Sequence, residues 1–554
     1  MNDTKRILVA ALGSVLILFL WNEFVTPKPK GPAADKAPAV GAPAAPGSAP
    51  PAAPAAGAVP PAAPPVQAAA PTAPEELVVL ETAEARATFS SHGGTLKSLR
   101  LKGETYRRRA RGSEAEEAVD LVAVAKGEAE PFAIAPSPEL GGTGDPASDP
   151  AVRVPMRVAG RDAASVTFEG RVGGVDVRKT FRLGPKPFEI QLDLAVSGGA
   201  APGAVSLLYP AYQPPDAPTP GFFSGGEVFE SVVPVCRAGD KTVRFDAKEK
   251  LEKVAGTPRW FGLDQHYFVS AVLPAAEAGE CFFAKLGTPG ASASGIRLPV
   301  NGPTRATFTA FAGPKQVDLL KAYGRGLESA IDYGPVTNFF AFFARILLWV
   351  MQRFHGLIHN WGVAIILLTV LVKVLLFPLT HKSMQSMQEM RKLQPEVEKL
   401  KAKFGDDKEK MNVAVMQLYQ QHKVNPLGGC LPLLLQMPVW LALYATLQTS
   451  VELYRQPFLW IRDLTAYDPI YVLPLAMGAS SFVMQKLSPQ PADNTQAKML
   501  LYFMPAFFTF IMLKLPAGLT LYIFVNNLLT IVQQQWLMRK DAAASAAPPA
   551  AGKG

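Results

Sequence analysis

After residue 356 this 554-residue chain carries five apolar segments, at 357–379, 431–447, 470–487, 499–515 and 519–537, and the first contains a lone basic residue, Lys373. Each is close to the ~20 apolar residues that cross a bilayer as a helix. In hydrocarbon every backbone polar group needs an internal partner, so the segments are predicted to be helices packed against one another. A fixed charge there costs roughly 2.5–3.5 kcal/mol on insertion scales, and Lys373 therefore asks for a water-filled cavity or a partner. A permeation pathway would carry several charges, whereas this region has very few. A shallow polar groove that lowers the barrier for another protein's polar segment fits the pattern better.

The rest of the chain is organised around that core. Residues 7–20 are almost wholly apolar and follow Lys5-Arg6. No small-x-small cleavage site follows them directly, so residues 1–25 read as an uncleaved transmembrane anchor rather than a removed signal peptide. Residues 26–75 are dominated by Pro and Ala. They bury too little apolar surface to offset their ordering entropy and are predicted to be a disordered tether. From 76 to 325 the pattern turns to period two. Val175, Val177, Phe181 and Leu183 alternate with Asp176, Arg178 and Arg182, and residues 188–196 repeat the alternation after the Gly-Pro-Lys-Pro turn at 184–187. Lys179 is the one polar member of its apolar phase. A soluble antiparallel β-sandwich is expected, with a hairpin at that turn. Residues 326–356 hold a Phe- and Leu-dense stretch too short to cross. It reads as an interfacial amphipathic helix, with a buried core helix as the alternative.

Charge sets the orientation. The loop 380–425 holds nine Lys/Arg and six Asp/Glu, against two Arg in 448–469, which puts the long loop and both termini in the cytoplasm and the β-domain outside. Within that loop 381–424 reads as a helical hairpin. Met384, Met387, Met390, Leu393, Val397, Leu400 and Phe404 recur at spacings of three and four, and Asp406 and Asp407 are placed to cap the second helix. The methionine stripe is either a docking surface for apolar segments or the seam between two helices. Net charge is +9, yet no Lys/Arg stripe interleaves with aromatics, so a sequence-specific nucleic-acid surface is not expected. No metal spacing, P-loop or nucleophile motif appears, and neither an enzyme nor a cofactor is expected. Cys236 and Cys281 fall in the external domain, and spacing leaves open whether they pair.

What recurs is polar residues at helical spacing. Thr369 and Lys373 are four apart. Tyr522, Asn526 and Thr530, with Gln533 or Gln534, line one face of the last segment, and Gln436 adds an amide to another. If these faces converge, Lys373, Thr369, Gln436, Tyr522, Asn526 and Thr530 wall a hydrated groove. The competing reading makes the same groups interhelical hydrogen-bonding glue.

Asn360-Trp361-Gly362, Pro378-Leu379-Thr380, Met390-Arg391-Lys392-Leu393-Gln394-Pro395, Asn425-Pro426-Leu427-Gly428-Gly429-Cys430, Gln436-Met437-Pro438 and Gln533-Gln534-Gln535 follow one another over about 357–540. Together they resemble the YidC family of membrane-protein insertases, and the anchor, tether and β-domain resemble its long bacterial form. The resemblance implies a multidomain membrane protein: an all-α core of five transmembrane helices plus the anchor helix, and a large periplasmic all-β domain, a β-supersandwich. It implies insertion of nascent inner-membrane proteins into the lipid bilayer, alone or beside the Sec translocon. The family's basic residue, usually Arg, falls at Lys373, its substrate-contacting Thr at Thr369 and its last-span aromatic region at Tyr522. The tail 541–554 is short, nearly uncharged and expected to be disordered, which leaves ribosome binding to the basic hairpin. A transporter or channel, and a tethered periplasmic carbohydrate-acting domain, are the rival readings.

Overall fold

The structure, a computed structural model, describes residues 74–109, 116–145, 149, 153–199, 201–214, 231–245, 251–332, 341–404, 407–422, 424, 431–487 and 499–546. The N-terminal anchor, the tether up to residue 73, Asp406 and the chain beyond Ala546 lie outside the described residues.

From Leu77 to Pro314 the described residues are mostly in β-sheet. A nine-stranded antiparallel sheet runs, in order across it, Lys241–Arg244, Val232–Ala238, Pro258–Gln265, Phe268–Pro274, Thr304–Pro314, Glu189–Ser197, Val175–Leu183, Ser165–Val172 and Arg157–Arg161. A five-stranded sheet runs Leu251–Val254, Glu280–Lys285, Ala291–Val300, Gly203–Tyr212 and Ala133–Pro136. Smaller sheets hold Leu77–Glu81, Ala85–Ser90 and Thr95–Leu101, and Arg107–Arg109 with Glu116–Ala118. The predicted hairpin is present: Ile190 pairs with Leu183 and Val196 with Val177. Phe188 leaves its turn at a φ of 63°. Its ring then lies over Gly313, where a Cβ would come within 2.7 Å of Phe188 Cγ, so only glycine fits there.

The period-two alternation turns Phe89, Phe168 and Phe181 inward with Phe132 and Tyr209, all fully buried. Their rings meet tilted or edge-on at centroid distances of 4.6–6.2 Å, worth about 0.5–1.5 kcal/mol per pair beyond area burial. Lys179 points into the same core. Its ammonium donates to the carbonyls of Gly93 at 2.6 Å, Phe132 at 2.7 Å and Gly94 at 3.1 Å, one acceptor for each N–H. Cys236 and Cys281 form a disulfide with their Cα atoms 6.6 Å apart, joining a strand of the nine-stranded sheet to one of the five-stranded sheet.

The C-terminal region is helical: α1 (Val317–Tyr323), α2 (Ala341–Ile358), α3 (Trp361–Lys392), α4 (Gln394–Phe404), α5 (Lys408–Gln421), α6 (Leu431–Thr449), α7 (Val472–Leu487), α8 (Met504–Met512) and α9 (Ala517–Ala546). Among the described residues α3 is the one helix that is by itself long and apolar enough to cross a membrane. On α2, Ala344, Leu348 and Met351 are buried while Phe342, Phe343, Ile346 and Trp349 are exposed, a one-sided pattern that a buried core helix would not have.

Three expected boundaries move. The first segment does not stop at residue 379. Asn360 caps α3 by accepting from the Val363 N–H at 3.0 Å, and the helix continues for 32 residues, about 48 Å, into what was read as the hairpin. It stops just before Gln394-Pro395, where proline disfavours helix at the preceding residue. The helix expected to be interfacial, α2, runs on to Ile358 rather than 356. The last helix extends to Ala546, so residues 541–546 are helical and not a disordered tail. Asp-Ala-Ala-Ala-Ser-Ala is rich in the best helix former, and no breaker occurs before Pro548.

Candidate functional site: a polar seam between the first and last core helices

Lys373 lies on α3, half-buried, and reaches α9. Its Nζ donates to Thr530 Oγ1 at 2.7 Å and to Asn526 Oδ1 at 3.4 Å. Asn526 and Thr530 share a helix face because they are four apart, and the Thr530 hydroxyl donates back to the Asn526 carbonyl at 2.6 Å. Among the described residues no carboxylate pairs with Lys373. The charge is met by neutral dipoles.

The seam continues in both directions. Towards the start of α3, Gln436 Nε2 of α6 donates to Tyr522 Oη. Towards its far end, Gln533 Nε2 donates to Thr380 Oγ1 at 3.3 Å, and further on Arg391 lies 3.6 Å from Met538 Sδ. Lys373 meets Thr530, Thr380 meets Gln533 and Arg391 meets Met538, so position advances together on both helices and α3 and α9 run parallel. Three buried polar atoms near this end, Gln533 Oε1, Gln534 Oε1 and His381 Nδ1, have no partner among the described residues. Such atoms are usually satisfied by water.

Sequence-named residues divide into three groups. Lys373, Asn526 and Thr530 come together, with Gln436 one rung away. Thr369 and Tyr522 do not line an open surface: each is 1% exposed, and Thr369 Oγ1 donates to the Ile365 carbonyl of its own helix at 2.7 Å. Burying Thr369 costs little because a threonine hydroxyl can satisfy itself one turn back. The hairpin residues separate. Asp407 caps α5, accepting from the Lys410 N–H at 3.0 Å. Met384 and Met387 instead sit on the continuation of α3, where they line a small pocket with Leu487 of α7 and Leu537 and Met538 of α9. Met384 and Met387 are thus not part of the seam of a free-standing hairpin.

Two features escaped the sequence reading. Asn527, beside Asn526 but on another face, donates to Ser481 Oγ at 2.8 Å and Ser480 Oγ at 3.1 Å and fastens α9 to α7. Two adjacent asparagines in an apolar helix could have signalled opposite partners. The turn after α6 also grips the β-domain: Tyr454 Oη donates to the Arg107 carbonyl at 2.6 Å, its ring lies 5.2 Å from that of Tyr267, and Arg455 pairs with Glu116. Only contacts distant in sequence reveal this.

Residues 353–544 match the family described as 60Kd inner membrane protein, and residues 77–350 match the YidC periplasmic domain. A membrane protein insertase YidC from Anaeromyxobacter dehalogenans (strain 2CP-C) is 60% identical over 100% of this chain and 99% of its own. The chain belongs to the YidC family. A YidC insertase from Geobacter metallireducens is 37% identical over 98% of this chain and 99% of its own. A crystal structure of an active YidC insertase, 19% identical, covers 83% of this chain and 92% of its own with a TM-score of 0.36, too low to carry any residue's position across. As a YidC family member the chain is an inner-membrane insertase with a periplasmic domain, its substrates are nascent membrane proteins, and it is not an enzyme.

Proposed function

We propose that insertion by this chain runs through the seam between α3 and α9. The observation that carries the reading is Lys373: a cation inside an apolar helix pair, met by Asn526 and Thr530 and followed by three polar atoms that have no protein partner among the described residues. Polar groups in that seam receive the polar or acidic leading segment of a nascent chain. The ammonium attracts it, and hydrated depth shortens the hydrocarbon it must cross. The following apolar segment then partitions into lipid beside α3 and α9, driven by burial of ~20 apolar residues without a nucleotide.

The architecture we favour is five core spans plus the N-terminal anchor, a periplasmic β-supersandwich and cytoplasmic termini. The parallel course of α3 and α9 supports it, since three intervening crossings return the chain to the same side. The basic segment from Lys382 to Lys423 is the surface offered to the ribosome, and the Sec translocon is the expected neighbour when insertion is shared. Among the described residues no feature favours a transporter or a carbohydrate-acting domain.

Replacing Lys373 by Arg, Ala and Glu, and measuring insertion of a small single-span substrate with an acidic leader, tests the reading. Arg is expected to retain most activity and Glu to abolish it. Full insertion by the Glu variant would remove the charge from the mechanism.

A further inference from the structure

The segment between α6 and α7 is built inside out. Leu459, Trp460, Tyr467, Ile470 and Tyr471 are exposed, Leu459 to 73%, and the exposure continues onto α7 at Val472 and Leu475. The acids of the segment face inward. Asp468, 1% exposed, accepts from Trp460 Nε1 at 3.1 Å and from the N–H groups of Ile470 and Leu473 at 3.2 and 2.7 Å. Asp463 accepts from the N–H groups of Arg455 and Thr465 at 3.1 and 2.8 Å. Arg455, Leu459 and Tyr471 are held at φ of 53–57°, a strained region for such side chains that persists only where surroundings over-determine it. The segment is therefore a rigid display of apolar side chains.

Its level is fixed by what it touches. Phe458 packs on Gly362 at the start of α3, where a Cβ would lie 2.1 Å from its ring. The carbonyls of Leu464 and Ala466 accept from the N–H groups of Gly518 and Ala517 at the start of α9, at 2.8 and 2.7 Å. Both helices enter the apolar region there. The 16 residues of α7 span about 24 Å, short of a ~30 Å hydrocarbon layer.

We propose that residues 459–472 are embedded in the lipid leaflet on the β-domain's side, as a preformed wedge that completes the apolar height of α7. Lipid is the occupant because the exposed face is continuous with that of α7. Arg462, the one exposed charge from 459 to 475, stands where lipid phosphates complement it, while tyrosine and tryptophan rings favour that interface. The indole N–H is already bonded to Asp468, so the ring needs no headgroup partner. Tyr454 and Arg455 clasp the β-domain from the start of the same segment, so the wedge also moors that domain at a set height.

The proposal rests on the membrane reading of α3, and the experiment separates the two. In the full chain carrying Cys430→Ser, an environment-sensitive fluorophore is attached at Leu459→Cys, at Glu277→Cys on an exposed β-domain turn, and at Val374→Cys on the exposed face of α3, after reconstitution into phosphatidylcholine–phosphatidylglycerol vesicles. Brominated lipid is expected to quench the label at 459 severalfold more than that at 277, and aqueous iodide to do the reverse. Iodide quenching at 459 equal to that at 277, or shielding from both quenchers as in a protein contact, overturns the wedge. It leaves the membrane reading standing if the label at 374 is lipid-quenched. Trp460→Phe serves as a label-free check: it should lower the lipid-quenchable part of the intrinsic fluorescence, and an unchanged value also overturns the proposal.

Discussion

Lys373 and Thr530 form a directed pair. The Thr530 hydroxyl gives its proton to the Asn526 carbonyl at 2.6 Å, so a lone pair is left facing the Lys373 ammonium at 2.7 Å. A serine or threonine back-bonded in this way is a fixed acceptor rather than a free rotor, and it sets where the charge sits along the seam.

Thr530→Val keeps the shape of the side chain and removes that acceptor. Loss of one charge-assisted hydrogen bond is worth about 1.5–3 kcal/mol, so initial insertion of an acidic-leader substrate should fall by roughly ten- to 150-fold. A substrate with an uncharged leader should be much less affected. Equal losses for both leaders would mean that the pair holds the helices together and does not position the charge. Thr530→Ser should retain activity.

Tyr454 belongs to the β-domain core although it is more than a hundred residues later in the chain; it is 3% exposed, beside Tyr267 and Phe268. Removing a buried aromatic side chain costs about 3–5 kcal/mol, and here the loss falls on the joint between two regions. Tyr454→Ala is expected to leave each region folded and to uncouple them, so that calorimetry in detergent resolves two thermal transitions where the parent has one more cooperative unfolding. A single transition shifted as a whole would mean that the joint does not couple them.

The division between what was legible in the sequence and what was not follows from the range of the signal. Val175 to Val196 announced their strands and their hairpin because period-two burial is written locally. Asn526 and Thr530 announced one face of α9 in the same way. Thr369 shares a helix face with Lys373, as the spacing predicts, but its burial is set by the helices packed on α3, which the local pattern does not contain. Met384 and Met387 were assigned to a hairpin because the charge pattern changes at Thr380, yet helix continuity depends on breakers, and Pro378 alone does not stop a helix whose neighbours satisfy the freed carbonyl. Tyr454 sits in a turn segment with neither a helical nor a strand period, so no local pattern marks it for burial.

Lys179 makes the β-domain's stability depend on pH. Burial pushes its ammonium down from 10.5 to about 7. The unfolded chain holds that proton up to the ordinary lysine range while the folded chain releases it earlier, so unfolding takes up protons between those values and stability rises with pH there. Between pH 7 and 9 the gain is on the order of 2 kcal/mol, readable as a higher denaturant midpoint at pH 9. Lys179→Met should flatten this dependence. It should also be less stable at pH 9 by about 1–3 kcal/mol, because the two N–H groups that the neutral amine still offers to the Gly93, Gly94 and Phe132 carbonyls are lost. A variant that keeps the parent's pH slope would assign the slope to another group.

Gly478 sets how closely α7 and α8 approach. A Cβ at that position would lie 2.1 Å from Thr509 Oγ1 and 3.2 Å from Thr509 Cβ, and the Thr509 hydroxyl is itself held by the Pro505 carbonyl at 2.7 Å. Small residues at such crossings let helix backbones pack without an aqueous hydrophobic drive, so Gly478→Ala must push the helices apart or rotate Thr509 off its backbone acceptor. Overpacking of this kind typically costs about 1–3 kcal/mol, seen as a lower melting temperature in detergent and faster proteolysis of the α7–α8 region. Thr509→Ala removes the clashing oxygen and leaves the 3.2 Å approach to Cβ, a tight contact relieved by a shift of a few tenths of an ångström. The double variant Gly478→Ala/Thr509→Ala should therefore recover most of the lost stability, although each substitution alone gains nothing. Additive losses in the double variant would show that the two side chains do not share the space, and that the approach of α7 to α8 is fixed elsewhere, with the Asn527 bonds to Ser480 and Ser481 as the next determinant to remove.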